Sequence, residues 1–192
     1  MDKRKRFRFY ALKLCGLIIP VFLAQYFFNG FTELFLLDSN AFGQIWRFVT
    51  AIFLHGGLAH LLYNLFALAL FGSILEKLIG GKRFLIVFFV TGILANIISV
   101  NFYDSSLGAS GAIFGVIGAL VWVRPLMPVW AFGLPMPLFF AGILWATGDL
   151  IGLFVPSNTA NLAHLSGMFF GILFGIIYRR KTLRAIQYIN EY

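Results

Sequence analysis

Apolar stretches recur six times in this chain, at roughly 10–28, 55–76, 83–102, 110–123, 132–154 and 160–178, and all but the fourth, which looks too short, are about as long as a bilayer is thick. At 1.5 Å of rise per helical residue, about 20 such residues cross a hydrocarbon core of about 30 Å. In lipid the backbone must satisfy its own hydrogen bonds, so runs of this length fold as helices. Composition agrees: 60% of the 192 residues are hydrophobic and only 11% charged. Soluble domains carry about 45–50% and 25%. A soluble enzyme, a disordered chain and a secreted disulfide module are excluded; the lone Cys15 has no internal partner. The expected fold is all-α, a polytopic membrane protein with six transmembrane helices forming a single domain over 1–192. The basic start Met1 to Arg8 resembles a signal peptide, but no small-residue cleavage site follows it, so the first stretch is read as a retained span.

Lysine and arginine favour the cytoplasmic side of a membrane. With six spans and the N-terminus inside, the inner segments are 1–9, 77–83, 124–131 and 179–192. They hold Lys3, Arg4, Lys5, Arg6, Arg8, Lys77, Lys82, Arg83, Arg124, Arg179, Arg180, Lys181 and Arg184. Lys13 can snorkel to the same side. Fourteen of the fifteen basic residues are then inside. This pattern predicts cytoplasmic N- and C-termini and accounts for the net charge of +8 without nucleic acid as a partner. Arg47 is the exception, in the first outer segment (about 29–54). That segment is amphipathic and suited to the outer interface. Trp46-Arg47 there reads most simply as an aromatic-plus-cation anchor.

Polar and ionisable groups inside a bilayer are costly and mark function. They are His55, His60, Asn64, Glu76, Ser110, Asp149 and His164. Counting up from the cytoplasmic cations, Asn64 lies about 20 Å above Lys77 and His60 about 26 Å above it. Ser110 lies about 21 Å above Arg124 and His164 about 23 Å above Arg179. Three helices thus bring four polar groups to one layer, below the outer surface but within the membrane. A fourth span starting at Ser110 begins about 9 Å down. The preceding 101–109 must then descend as non-helical backbone, which is tolerated only inside protein or beside water. A cavity opening outward is implied.

Gly111, Gly115 and Ala119 on the fourth span, and Ala163, Gly167, Gly171 and Gly175 on the sixth, recur every four residues. Small residues at that interval let helices approach closely. A glycine stripe alone is ordinary packing, but these two begin beside Ser110 and His164. A serine hydroxyl becomes a nucleophile when an imidazole takes its proton. At a helix start it lies beside unpaired N–H groups that can stabilise an oxyanion. His60 and Asn64, four apart, share a helix face and can both donate. Gly108 and Gly111 let the backbone fold tightly around the serine. No acid is clearly placed to orient His164, so the arrangement reads as a dyad. Asp149 is given no role beyond lining or capping, and Glu76 pairs with a cation or caps a loop.

Trp46-Arg47, then His55, His60 and Asn64, then Gly108-Ala109-Ser110-Gly111, then Ala163-His164-Leu165-Ser166-Gly167 resemble, in this order, the rhomboid intramembrane serine proteases. The resemblance runs from about residue 45 to 178. It implies a rhomboid-like bundle in the cell membrane with Ser110 and His164 as catalytic dyad. It further implies an oxyanion hole of His60, Asn64 and the Ser110 N–H, and an active site opening toward the extracytoplasmic side. No metal or other cofactor is implied. The partners would be single-span transmembrane protein substrates and the lipid bilayer. Glu76, within Gly72-x-x-x-Glu76-x-x-x-Gly80, matches a position that ties a loop to helices; His55 matches a supporting position, and Trp46-Arg47 a structural pair. The fifth span and the loop 155–159 would form the gate and cap. Phe114 stands where the family often has a tyrosine packing on the catalytic histidine. Without an extra domain or seventh span, the chain resembles a minimal prokaryotic form.

A transporter would spread polar groups along a continuous path with repeat symmetry, whereas here they cluster in one layer. A zinc protease would show two histidines four apart with a glutamate beside the first, which is absent. A catalytically inactive relative that binds membrane proteins for quality control would be expected to lack the serine or the histidine.

Overall fold

The computed structural model describes residues 7–155 and 159–190, with backbone alone for 180–190. The predicted inner cations Lys3, Arg4, Lys5 and Arg6, the side chains of Arg180, Lys181 and Arg184, and 156–158 of the expected cap lie outside the described residues. The chain is mostly helical. Its main helices are α1 (Tyr10–Phe27), α2 (Leu58–Ile79), α3 (Gly81–Ser99), α4 (Ser110–Val123), α5 (Leu138–Gly152) and α6 (Asn161–Asn190). Among the described residues, four contain segments long and apolar enough to cross a membrane: α1, α2, α3 and, in α6, Asn161–Arg179. α4 and α5 are shorter, at 14 and 15 residues.

Backbone approaches fix how the helices run. Cys15 Sγ donates to the Leu65 carbonyl while Ala11 N–H donates to Glu76, so α1 and α2 are antiparallel. A Cβ on Gly92 would meet Ala112 and one on Gly111 would meet Ala95, which makes α3 and α4 antiparallel as well. Gly167, Gly171 and Gly175 face the carbonyl oxygens of Gly111, Gly115 and Ala119 in turn, a parallel register. Parallel α4 and α6 require the chain between them to return, and α5 does so, bringing Asp149 and Gly152 beside His164 and Asn161.

The outer faces are apolar. Leu12, Leu23, Leu62, Phe66, Phe140, Ile143, Phe169 and Ile177 are all exposed, far more apolar surface than a water-facing domain leaves uncovered. The core gathers around α4, with Leu68, Phe84, Phe88, Val116 and Leu120 almost fully buried.

Two sequence boundaries are corrected. The fifth apolar stretch predicts a span over 132–154, but α5 begins only at Leu138. Residues 128–137 form an antiparallel hairpin, β3 (Pro128–Ala131) with β4 (Leu134–Pro137). Pro135 and Pro137 lack the N–H a helix interior needs. Phe132 and Gly133 both have positive φ, at 55° and 76°, the backbone of a two-residue hairpin turn. The second stretch predicts an end at Glu76; the helix instead runs through Lys77 to Ile79, and Gly80, at φ 88°, turns the chain into α3. As expected, α4 starts at Ser110 and the segment before it is non-helical. That segment is pinned to the first loop, where β1 (Leu37–Asp38) pairs with β2 (Ser105–Ser106).

Candidate active site

Ser110 opens α4, a helix whose position is set by near-total burial. A Cβ added at Gly167 or Gly171 would overlap the Gly111 or Gly115 carbonyl. The absence of side chains there lets α6 lie directly on α4. His164, three residues before Gly167, is thereby brought to the top of α4. Its ring stacks on Phe114, with centroids 4.3 Å apart and planes 3° from parallel. Phe114 and Ser110 lie one turn apart on the same helix, so they share a face. Among the described residues Ser110 and His164 make no hydrogen bond. Catalytic hydrogen bonds in substrate-free sites are commonly long and tighten on binding.

The second helix brings His60 to the same place. His60 Nδ1 accepts from the Gly56 N–H at 3.4 Å, which leaves Nε2 as the ring's donor. That nitrogen faces the serine loop: a Cβ built on Gly108 would lie 2.9 Å from His60 Nε2 and 3.8 Å from Ser110 Oγ. Gly108 has φ 125°, so glycine is needed here both for its backbone angle and for the space the imidazole takes. The Gly108 N–H donates to the Ala51 carbonyl at 2.8 Å, fixing the loop from the other side. Asn64 is buried, and its amide donates to the His60 carbonyl at 2.8 Å. One amide hydrogen of Asn64 remains for another acceptor.

One residue to which the sequence assigns no role is directly in the site. Asp149 Oδ1 lies 2.9 Å from His164 Nδ1, and the carboxylate is buried. The expectation that no acid is placed beside His164 is therefore corrected. The two residues stand 15 apart on antiparallel helices, and the intervening loop hides the pairing from any count along one helix.

A family model of the Rhomboid domain matches residues 42–181, which contain every residue of this site. The chain belongs to the rhomboid family. Among its relatives, the rhomboid protease GlpG of Yersinia pseudotuberculosis is 29% identical over 154 residues, 78% of this chain and 54% of that protein. GlpG of Yersinia pestis gives the same figures, 29% over 154 residues. The rhomboid protease GluP of Bacillus subtilis is 46% identical over 82 residues, 42% of this chain and 16% of that protein. The chain thus spans about half the length of the GlpG relatives it matches.

The other predicted residues of this rhomboid chain lie around the site and not in it. Arg47 is buried: its guanidinium donates to Gln44 Oε1 at 2.6 Å and to the Leu36 carbonyl at 2.8 Å, and pairs with Asp38 at 3.3 Å. This overturns the interfacial-anchor expectation for Arg47. A guanidinium with three local acceptors holds the first loop together instead of snorkelling outward. Trp46 beside it is exposed. His55 is buried with its ring 5.1 Å from that of His60. Its backbone is clamped by Gln25, which accepts from the His55 N–H at 2.9 Å and donates to its carbonyl at 3.3 Å. Glu76 accepts the N–H groups of Arg8 and Ala11, each at 3.1 Å. It caps the start of α1, where anionic oxygens meet unpaired donors; among the described residues it pairs with no cation.

Three supporting residues escape a reading of the sequence. Gln25 lies near the end of the first apolar stretch. Asn96 donates to the Phe48 carbonyl at 2.8 Å, and the Tyr103 hydroxyl accepts from the Leu162 N–H at 3.0 Å near the start of α6. A polar side chain inside or beside an apolar run is the available signal in each case. Two open depressions flank the site. One of about 400 Å³ is lined by Phe102, Tyr103, Phe154 and Leu162, the other of about 340 Å³ by Gln25, His55, Gly56 and Leu107.

Proposed function

We propose that this rhomboid chain is an intramembrane serine protease that hydrolyses peptide bonds in or near the transmembrane segment of single-span membrane proteins. The observation that carries the proposal is the convergence, on one rigid helix start, of the Ser110 hydroxyl, the stacked His164 imidazole and the inward-facing His60 Nε2. In this mechanism His164 takes the hydroxyl proton as Ser110 Oγ bonds to the scissile carbonyl carbon. The carbonyl electrons become an oxyanion, which the Ser110 N–H, His60 Nε2–H and Asn64 amide stabilise. Collapse breaks the C–N bond, and the proton on His164 passes to the leaving amine. Water then attacks the acyl-serine by the same route and restores the enzyme.

Six alternating helices, with apolar outer faces, support six membrane crossings by one domain with both chain ends on the cytoplasmic side. In that orientation the site opens toward the extracytoplasmic face of the cell membrane. α4 starts part-way down the bundle, so a substrate reaches Ser110 from the side of the membrane and its water from the outer depression. The purified protein in detergent should cleave a model single-span substrate, and Ser110→Ala should not. Equal cleavage by both would remove Ser110 as the nucleophile.

A further inference from the structure

We propose that Asp149 is the positioning residue of the catalytic imidazole, holding His164 by a hydrogen bond on the ring edge away from Ser110. The inference rests on the Ser–His mechanism above and names what sets its geometry. Asp149 Oδ1 is 2.9 Å from His164 Nδ1, with the two side chains 8% and 13% exposed. An ionised carboxylate only accepts hydrogen bonds, so the nitrogen facing it must carry the proton. The neutral imidazole is then held as the Nδ1–H tautomer, with the lone pair on Nε2, the nitrogen left to meet the Ser110 hydroxyl.

Three further observations give the contact this role. Among the described residues no lysine or arginine pairs with Asp149, whose ion-pair partner is His164. A buried carboxylate without a cation is costly. Its charge is met when the imidazole takes a proton, which happens as the serine attacks, so the interaction strengthens in the transition state. Next, the face of the ring is already held by Phe114, which offers no hydroxyl, so rotation within the ring plane is left to Asp149. Finally, the distance between α5 and α6 is fixed one turn further on. A Cβ on Gly152 would lie 2.6–2.8 Å from atoms of the Asn161 side chain, so the helices touch there and Asp149 is delivered to His164 without a gap.

The test compares kcat and KM of Asp149→Asn, Asp149→Ala and Ser110→Ala on one single-span substrate, together with ¹⁵N spectra of histidine-labelled wild type. Asp149→Asn preserves shape but removes the charge, and its amide can turn an N–H toward His164 where the carboxylate only accepts. We expect kcat to fall by about 10-fold to 1,000-fold, with KM within about twofold, because the loss is in orientation and transition-state charge. In the wild type the His164 shifts should report a proton on Nδ1 and a bare Nε2. A kcat within about threefold of wild type for folded Asp149→Asn, or a bare Nδ1 in the wild type, overturns the proposal. If the variants do not fold, the wild-type spectrum alone decides between these outcomes. Continued cleavage by Ser110→Ala would bring down the serine mechanism and this inference with it. An inactive Ser110→Ala beside a fully active Asp149→Asn would bring down the positioning role alone.

Discussion

α4 and α5 are nearly equal in length and almost equally apolar, yet they are held very differently. Ten of the 14 residues of α4 are buried, and glycine lets α6 rest on its backbone along three successive turns. α5 buries four of its 15 residues, namely Leu138, Ala141, Gly142 and Asp149. Much of the rest of α5 is exposed apolar side chain, including Phe140, Ile143, Leu150 and Ile151. The difference teaches where an enzyme of this kind keeps its rigidity. Ser110 and His164, the proposed nucleophile and base, sit on a seam that cannot open without separating backbones. The helix beside them buries fewer of its residues, and low local packing is where opening motions start. Among the described residues the Asp149–His164 contact is a polar tie between the two regions, and in the proposed mechanism it makes α5 part of the chemistry as well as a wall.

Mutations can break this contrast at graded cost. The largest effect is expected in the seam. Gly171→Leu sets a side chain against the Gly115 backbone, which cannot rotate away, so α4 and α6 must part. We expect a loss of at least about 3 kcal/mol of stability, seen as failure to recover folded protein or a large drop in unfolding temperature. His60→Ala removes one proposed oxyanion donor while leaving the seam intact, and should lower kcat by about 10²-fold to 10³-fold with little change in unfolding temperature. Phe114→Ala frees the imidazole on the α4 side. A stacked pair contributes about 0.5–1.5 kcal/mol, so kcat should fall by about tenfold, with Phe114→Tyr close to wild type. The smallest effect belongs to α5. A Cβ on Gly148 would meet nothing within 4 Å, so Gly148→Leu should change unfolding by no more than about 0.5 kcal/mol. A Gly148→Leu as damaging as Gly171→Leu would erase the distinction between the two helices.

Much of this architecture is legible in the amino-acid sequence itself. Glycines and alanines at intervals of four on two spans reveal the seam, because close helix approach leaves a periodic mark on each partner separately. Depth counting places Ser110, His60, Asn64 and His164 in one layer, because helical rise is constant. The start of α4 at Ser110 is marked by the apolar run that begins there. What the sequence hides is anything that depends on pairing across a loop. Asp149 looks isolated because its partner is on another helix, and nothing on α5 marks which face turns inward. The hairpin at 128–137 passes for part of a span because Val129, Trp130, Phe132 and Leu134 are as apolar as a helix; only its prolines speak against one. Arg47 passes for an interfacial anchor because its acceptors are the Leu36 carbonyl and two short polar side chains, a local cage that composition does not reveal.

The central claim is that Ser110 is a nucleophile activated by His164, and covalent labelling tests it most directly. The purified protein should be treated in detergent with a fluorophosphonate, which marks activated serines, and the adduct located by mass spectrometry. The account predicts a single adduct on Ser110, lost in His164→Ala and in Ser110→Ala. An adduct on another serine such as Ser99 or Ser166, or Ser110 labelling undiminished when His164 is removed, would contradict it.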